Sequence, residues 1–225
     1  MTTSRNKRRQ QVSPLSAEEV SRLLAIPNPR RGSGLRNRAI LETMLRAGLR
    51  VSEVCDLRAC DVRLAATAAD TGWIEIRHSK RDGSRNIPIG PRLAEWLTRW
   101  TAARPDSEWY FCTVRGYNRT PAPEGSAPVG QQLIERNVWD FVHKYAIRAG
   151  LEEDALRRQM MNGGERVEWR VHPHLLRHTF ATNVLDYGVR GDQLQVLMGH
   201  ADIRTTMLYV HPRSRDLADL AEKYG

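Results

Sequence analysis

His172-Pro173-His174-Leu175-Leu176-Arg177-His178-Thr179-Phe180-Ala181-Thr182 reads as the opening of a helix over residues 173–187, with Gly188 as its stop. His174 and Arg177 stand three residues apart, so both point from one face near the helix start. Backbone N–H groups and the helix dipole favour a phosphate at such a place. Arginine adds a planar fork that matches phosphate bidentately and keeps its charge.

Downstream, the pattern predicts helices over 192–198 and 205–210, with Gly199 ending the first, and a last helix over 214–223. The run Leu197-Met198-Gly199-His200-Ala201-Asp202-Ile203-Arg204-Thr205-Thr206-Met207-Leu208-Tyr209-Val210-His211 crosses two of these. Upstream, residues 152–170 are polar and contain Gly163-Gly164, and a long helix traced by Leu133, Val138, Phe141, Val142, Tyr145 and Ala149 precedes them. Residues 115–130 form a loop rich in Pro and Gly. Leu93, Trp96, Leu97 and Trp100 mark a further amphipathic helix. Trp73, Ile74 and Ile76, then Ile87 and Ile89, flank a polar turn and predict a β-hairpin, with Pro88 on an edge strand.

Nearer the N-terminus, Ser16 and Glu19 have capping-box spacing and Leu15 and Val20 form a hydrophobic staple, with Pro27 stopping the helix. A second helix is expected over 36–47, ending at Gly48, and a short third one capped by Ser52. Arg50 thus sits in the tight joint between two helices. The expected class is α+β, mostly α-helical with a small antiparallel sheet. Residues 1–13 read as a basic, mobile arm and 14–225 as one domain.

The chain has 225 residues and a net charge of +9, with a pI near 10.0. That excess points to a polyanionic partner, with nucleic acid ahead of an acidic membrane surface. No stretch approaches the roughly 18 apolar residues of a membrane span. The basic start has no apolar core of a secretory signal. Cys55, Cys60 and Cys112 form neither a disulfide framework nor a CxxC zinc motif, which fits a reducing, cytoplasmic setting.

Cleaving a DNA phosphodiester without a metal requires fixed cations where other enzymes use bound ones. Arg50 and Arg177 suit that task from opposite sides of one phosphate. Lys80 is the only lysine in the hairpin turn. Its neighbours Arg77, Arg81 and Arg85 hold their protons too tightly to act as acids. A desolvated lysine beside other cations is a general acid. Tyr209 offers a phenol that a nearby histidine deprotonates and arginines stabilise.

In these two blocks and in Gly48-Leu49-Arg50-Val51-Ser52-Glu53, the sequence resembles the catalytic domain of the tyrosine recombinases, which include phage integrases and Xer-type recombinases. The resemblance runs from about residue 15 to residue 211. It implies that Arg50 and Arg177 bind the scissile phosphate and that Tyr209 forms a 3′-phosphotyrosyl bond. Lys80 would protonate the leaving 5′ oxygen, His174 would assist proton transfer, and His200 would hydrogen-bond the phosphate. Glu53 would support the site without reacting. No cofactor is implied. The implied partner is double-stranded DNA, bound by a homotetramer with accessory DNA-bending proteins, at the nucleoid if the host is bacterial. The family commonly adds a helical core-binding domain before the catalytic one, and the expectation here is a chain without it. The glycine pair that usually flanks the family's lysine is missing around Lys80, and residues 152–170 read as an insertion.

Three other readings fit parts of the pattern. One is a metal site built on His172, His174, His178, His200 and His211, although Cys and carboxylate partners are lacking nearby. Another is a DNA-binding regulator on the same fold without chemistry. The third is a type IB topoisomerase-like activity, which would relax supercoiled DNA regardless of sequence.

Overall fold

The computed structural model describes residues 13–67, 70–77, 84–114, 128–152 and 169–199. The chain enters through α1 (Ala17–Ala25), whose start is closed by the expected reciprocal box. The Glu19 amide donates to Ser16 Oγ at 3.2 Å, and the Ser16 amide donates to the Glu19 carboxylate at 2.8 Å. A box of this kind stabilises a helix by about 1 kcal/mol.

The second helix, α2 (Gly32–Ala47), begins four residues earlier than the hydrophobic pattern suggests. It is the central element, packed most extensively on α4 (Pro91–Ala103) and α6 (Pro173–Asp186). Its Ala39, Ile40, Leu41 and Met44 are fully buried. It also buries Glu42, which two partners on its own helix neutralise: Arg38 at 2.9 Å and Arg46 at 2.5 Å. Polarity is therefore no guide to the exposed face of α2, and its early start lies in Gly32-Ser33-Gly34, where two poor helix formers weaken the helical pattern.

Two features differ from expectation beyond α2. The third helix, α3 (Val51–Asp56), is capped at Arg50 and not at Ser52, which lies inside it. Glu53 supplies the missing acceptor by taking the Arg50 amide at 2.8 Å. The predicted hairpin is β2 (Trp73–Ile76) and β3 (Arg85–Pro88), and a third strand, β1 (Val62–Arg63), joins β2 to give an antiparallel sheet in the order β1-β2-β3. β1 is only two residues long, too short to leave an alternation in the sequence. Pro88 sits on β3, at the sheet's edge as expected.

The register pairs Ile74 with Ile87 and Ile76 with Arg85. Ile74, Ile76 and Ile87 face the core, and by strand alternation Arg85 shares that face with Ile87. The remaining helices are α5 (Glu135–Arg148) and α7 (Gly191–Met198). Leu194 and Met198 of α7 pack on Phe180 and Ala181 of α6 in a small satellite of the main core. The N-terminal segment is tied to α6 by the Leu15 amide, which donates to Thr179 Oγ1 at 3.0 Å.

Candidate active site

The site is built around the joint between α2 and α3. Gly48 ends α2 with φ +64°, and a methyl group there would lie 2.3 Å from the Phe180 ring. Both the left-handed turn and the close approach to α6 require glycine. Two residues later the chain re-enters a helix, so Arg50 is fixed at the start of α3 with Glu53 one turn on.

Glu53 is the hub. Arg50 reaches its Oε1 at 3.0 Å, and Arg177 of α6 lies 3.7 Å from its Oε2. Arg85 of β3 donates one N–H group to both carboxylate oxygens at 2.9 Å. The carboxylate is only 10% exposed. Burial alone would raise its pKa, but Arg85, the Arg50 amide, Arg177 and Arg50 outweigh it and hold the group below the usual glutamate value. Three guanidinium groups on one carboxylate leave the cluster with an excess of positive charge.

The same arginines hold the end of α7. The Leu197 carbonyl accepts from Arg85 Nε at 3.0 Å, the Met198 carbonyl from Arg177 at 2.5 Å, and the Gly199 carbonyl from Arg50 at 3.0 Å. The last carbonyls of a helix carry its partial negative charge and lack helical partners. Arg177 also donates to the Gly48 carbonyl, closing a ring from α2 through α6 to α7.

Arg50 is the open member. Its side chain is 33% exposed, against 6% for Arg177 and 7% for Arg85. It borders a cleft of about 710 Å³ whose lining includes Ser52, Glu53, Arg58, Arg77 and Trp109. His174 lies at the surface on the other flank, edge-on to Trp139 and to His172. Its pKa is lowered first by partial burial of the ring, then by the charge of Arg177, with Arg50 adding to it. A neutral imidazole in that field is able to accept a proton.

Arg50, Glu53, His174 and Arg177, all expected site residues, are thus brought together. Lys80, His200 and Tyr209 lie outside the described residues. Sequence reasoning passed over Arg85, which it considered only as a poor acid beside Lys80. The signal was present: Arg85 occupies the inward position of an alternation that continues through Ile87 and Ile89. A charge in an apolar register calls for a buried partner. Among the described residues no three His, Cys, Asp or Glu side chains are grouped to hold a metal, and no helix is long and apolar enough to cross a membrane.

The phage integrase family model matches residues 14–215. The chain belongs to the phage integrase family. Among its relatives, tyrosine recombinase XerA of Thermococcus kodakarensis is 33% identical over 209 residues, covering 93% of this chain and 61% of the relative. Tyrosine recombinase XerD of Lacticaseibacillus casei is 33% identical over 211 residues, with the same coverage of each. This family member therefore spans about three fifths of the length of those relatives. The fold agrees with solved members. XerA recombinase superposes with a TM-score of 0.65 at 23% identity over 99% of this chain and 67% of that one. The catalytic domain of bacteriophage HP1 integrase superposes with a TM-score of 0.57 at 20% identity, covering 95% of each.

Proposed function

We propose that this chain is a site-specific DNA recombinase that cuts and rejoins strands through a 3′-phosphotyrosyl intermediate. The supporting observation is the meeting of Arg50 and Arg177 on one buried carboxylate, with positive charge in excess and Arg50 open to a cleft. Such an arrangement favours a group that gains negative charge in the transition state. Family membership and relatives named tyrosine recombinases support the same reading.

In this mechanism the Tyr209 oxygen attacks phosphorus in line, forming the P–O(Tyr) bond as the P–O5′ bond breaks. The phenol proton passes to His174, and Lys80 supplies a proton to the leaving 5′ oxygen. Arg50 and Arg177, with His200, stabilise the charge on the non-bridging oxygens. A 5′ hydroxyl from a second strand then attacks phosphorus and releases Tyr209, so the bond energy is kept and no cofactor is consumed. Exchange between two duplexes uses four active sites, hence a homotetramer on double-stranded DNA, with accessory DNA-bending proteins shaping the complex at the nucleoid of a bacterial host.

The test is a nicked duplex built on inverted repeats sought in the DNA on either side of the gene. The expected product is an SDS-resistant protein–DNA adduct that Tyr209→Phe eliminates while gel-shift binding is retained. An adduct that survives in Tyr209→Phe would remove Tyr209 as the nucleophile. Binding without any adduct would leave a DNA-binding regulator, and relaxation of plasmids of any sequence would indicate a topoisomerase.

A further inference from the structure

We propose that Arg85 is a positioning residue that locks the end of α7 to the Arg50–Glu53–Arg177 cluster, so that the cluster and the last turn of α7 move as one body. The inference rests on the functional reading above for its catalytic consequence, but its structural content stands apart from it.

Three observations carry it. First, Arg85 bridges two elements: its Nη2 donates to both oxygens of Glu53 on α3, and its Nε donates to the Leu197 carbonyl on α7. The planar fork makes that bridge directional, which a lysine ammonium is not. Second, the bridge is dry. The Arg85 side chain is 7% exposed and Glu53 10%, so water is a poor substitute for either contact. Third, Gly199 is shaped around it. This residue has φ +58°, and a methyl group added there would stand 2.6 Å from an Arg85 terminal nitrogen. The turn that ends α7 thus leaves its side-chain space to Arg85, and the next residue in sequence is His200.

Glu53 accepts from Arg50 as well, through both its side chain and its amide. Arg85 therefore fixes the carboxylate that in turn fixes the most open arginine of the site. Removal of Arg85 loosens two things together: the end of α7, left to Arg177 and Arg50, and the orientation of Arg50 on Glu53. Neither effect requires Arg85 to touch DNA.

The experiment uses the full chain as wild type, Arg85→Met, Arg85→Lys and Gly199→Ala. Hydrogen exchange followed by mass spectrometry reads the coupling without any DNA. Arg85→Met is expected to speed exchange in peptides ending α7 by about tenfold or more, with α2 and α4 unchanged. Gly199→Ala reaches the same bridge from the other side and is expected to raise exchange in the same peptides. The second readout is the rate of adduct formation on the nicked duplex. A displacement on the order of 1 Å costs about 100-fold, so Arg85→Met is expected to slow adduct formation by about that factor while gel-shift binding changes by less than about twofold. Arg85→Lys is expected to recover part of the rate. The adduct rate of Arg85→Met is also expected to fall at higher pH than that of wild type on acidification, because Glu53 loses its largest compensating charge.

Exchange that rises equally in α2 and α4 would make Arg85 a general stabiliser and overturn the proposal, as would unchanged exchange at the end of α7. Should the wild-type chain form no adduct at all, the recombinase reading fails, and the exchange measurement still decides the coupling.

Discussion

Two regions that meet at His174 solve the same problem in opposite ways. On one side, Arg85, Arg177 and Glu53 are largely removed from water, with Arg50 at their open edge, and the four keep their charges by pairing. On the other, Trp139, His143, Trp169 and His172 form a stacked cluster: His143 lies 4.4 Å from Trp169 and His172 lies 5.7 Å from Trp139 between ring centroids, each nearly parallel. There His143 Nε2 and His172 Nδ1 are buried with no hydrogen-bond partner among the described residues. Burial pushes His143 down to about 4, and burial followed by the neighbouring His174 lowers His172. One region is held charged by mutual compensation, and the other is held neutral by partial burial of its rings. His174 touches the second and feels the field of the first, so its basicity is set where the two strategies meet.

The largest effect expected from breaking this contrast is at Glu53. Glu53→Gln keeps the shape of the side chain but leaves three guanidinium groups with no carboxylate between them. Removing one partner of a buried ion pair typically costs 3–5 kcal/mol, because the remaining charge stays in a poor solvent. Urea denaturation is expected to show a loss of about 3 kcal/mol at neutral pH. A change below about 1 kcal/mol would mean that water or another group compensates the arginines freely. The wild-type contribution should also fade with acid. The folded-state pKa of Glu53 is lowered, so its stabilisation is complete above the ordinary glutamate value near 4.5 and is lost as pH falls through the folded value.

The neutral region gives an intermediate effect and acts at higher pH. The folded-state pKa of His143, about 4, lies below its ordinary 6.5. The unfolded chain therefore binds the proton first, and stability falls as pH drops from about 6.5 to about 4. The other groups acting on this ring are His172 and Arg136, which oppose its protonation, and Asp140, which favours it. His143→Phe keeps a ring against Trp169 and removes the titration. Denaturation at pH 7 and pH 5 is expected to show wild type losing on the order of 1–2 kcal/mol more than the variant, allowing for the partly open ring. Equal losses would mean that His143 protonates without resistance and that partial burial in the stack does not penalise its charge.

Much of this was legible in the sequence, and the parts that were not have identifiable causes. Arg50, His174 and Arg177 stand in local frames that sequence describes well: a glycine turn, a helix start, a three-residue spacing. The hairpin and the edge position of Pro88 follow from alternation and from the missing N–H of proline. Part of what escaped was set by partners remote in the chain. Glu53 was expected to support the site, but its three arginines come from three different elements, and no local pattern announces such convergence. Arg85 lay in a run of polar residues that masked its inward register. The early start of α2 was hidden because its first turn is Gly32-Ser33-Gly34-Leu35, and two glycines weaken a helical reading. The cap of α3 was assigned to Ser52 on residue preference, whereas Glu53 serves the Arg50 amide.

The smallest effect sharpens the comparison by holding the chemistry constant. Arg136 and Asp140 form an ion pair at 2.8 Å on the surface of α5, closer than the 2.9 Å between Arg85 and Glu53. Distance alone would rank the surface pair as the stronger. Its side chains are 76% and 58% exposed, against 7% and 10% for the buried pair. In water the attraction is screened and the loss of side-chain freedom nearly cancels it, leaving about 0.3–0.5 kcal/mol for a helical pair of this spacing. Arg136→Ala is therefore expected to shift the urea midpoint barely beyond error, and 1 M salt should remove even that difference. The same salt should leave most of the Glu53→Gln deficit in place, since the ions that screen α5 have little access to a carboxylate enclosed by three arginines. A loss for Arg136→Ala as large as that for Glu53→Gln would show that burial is not what separates the two sites.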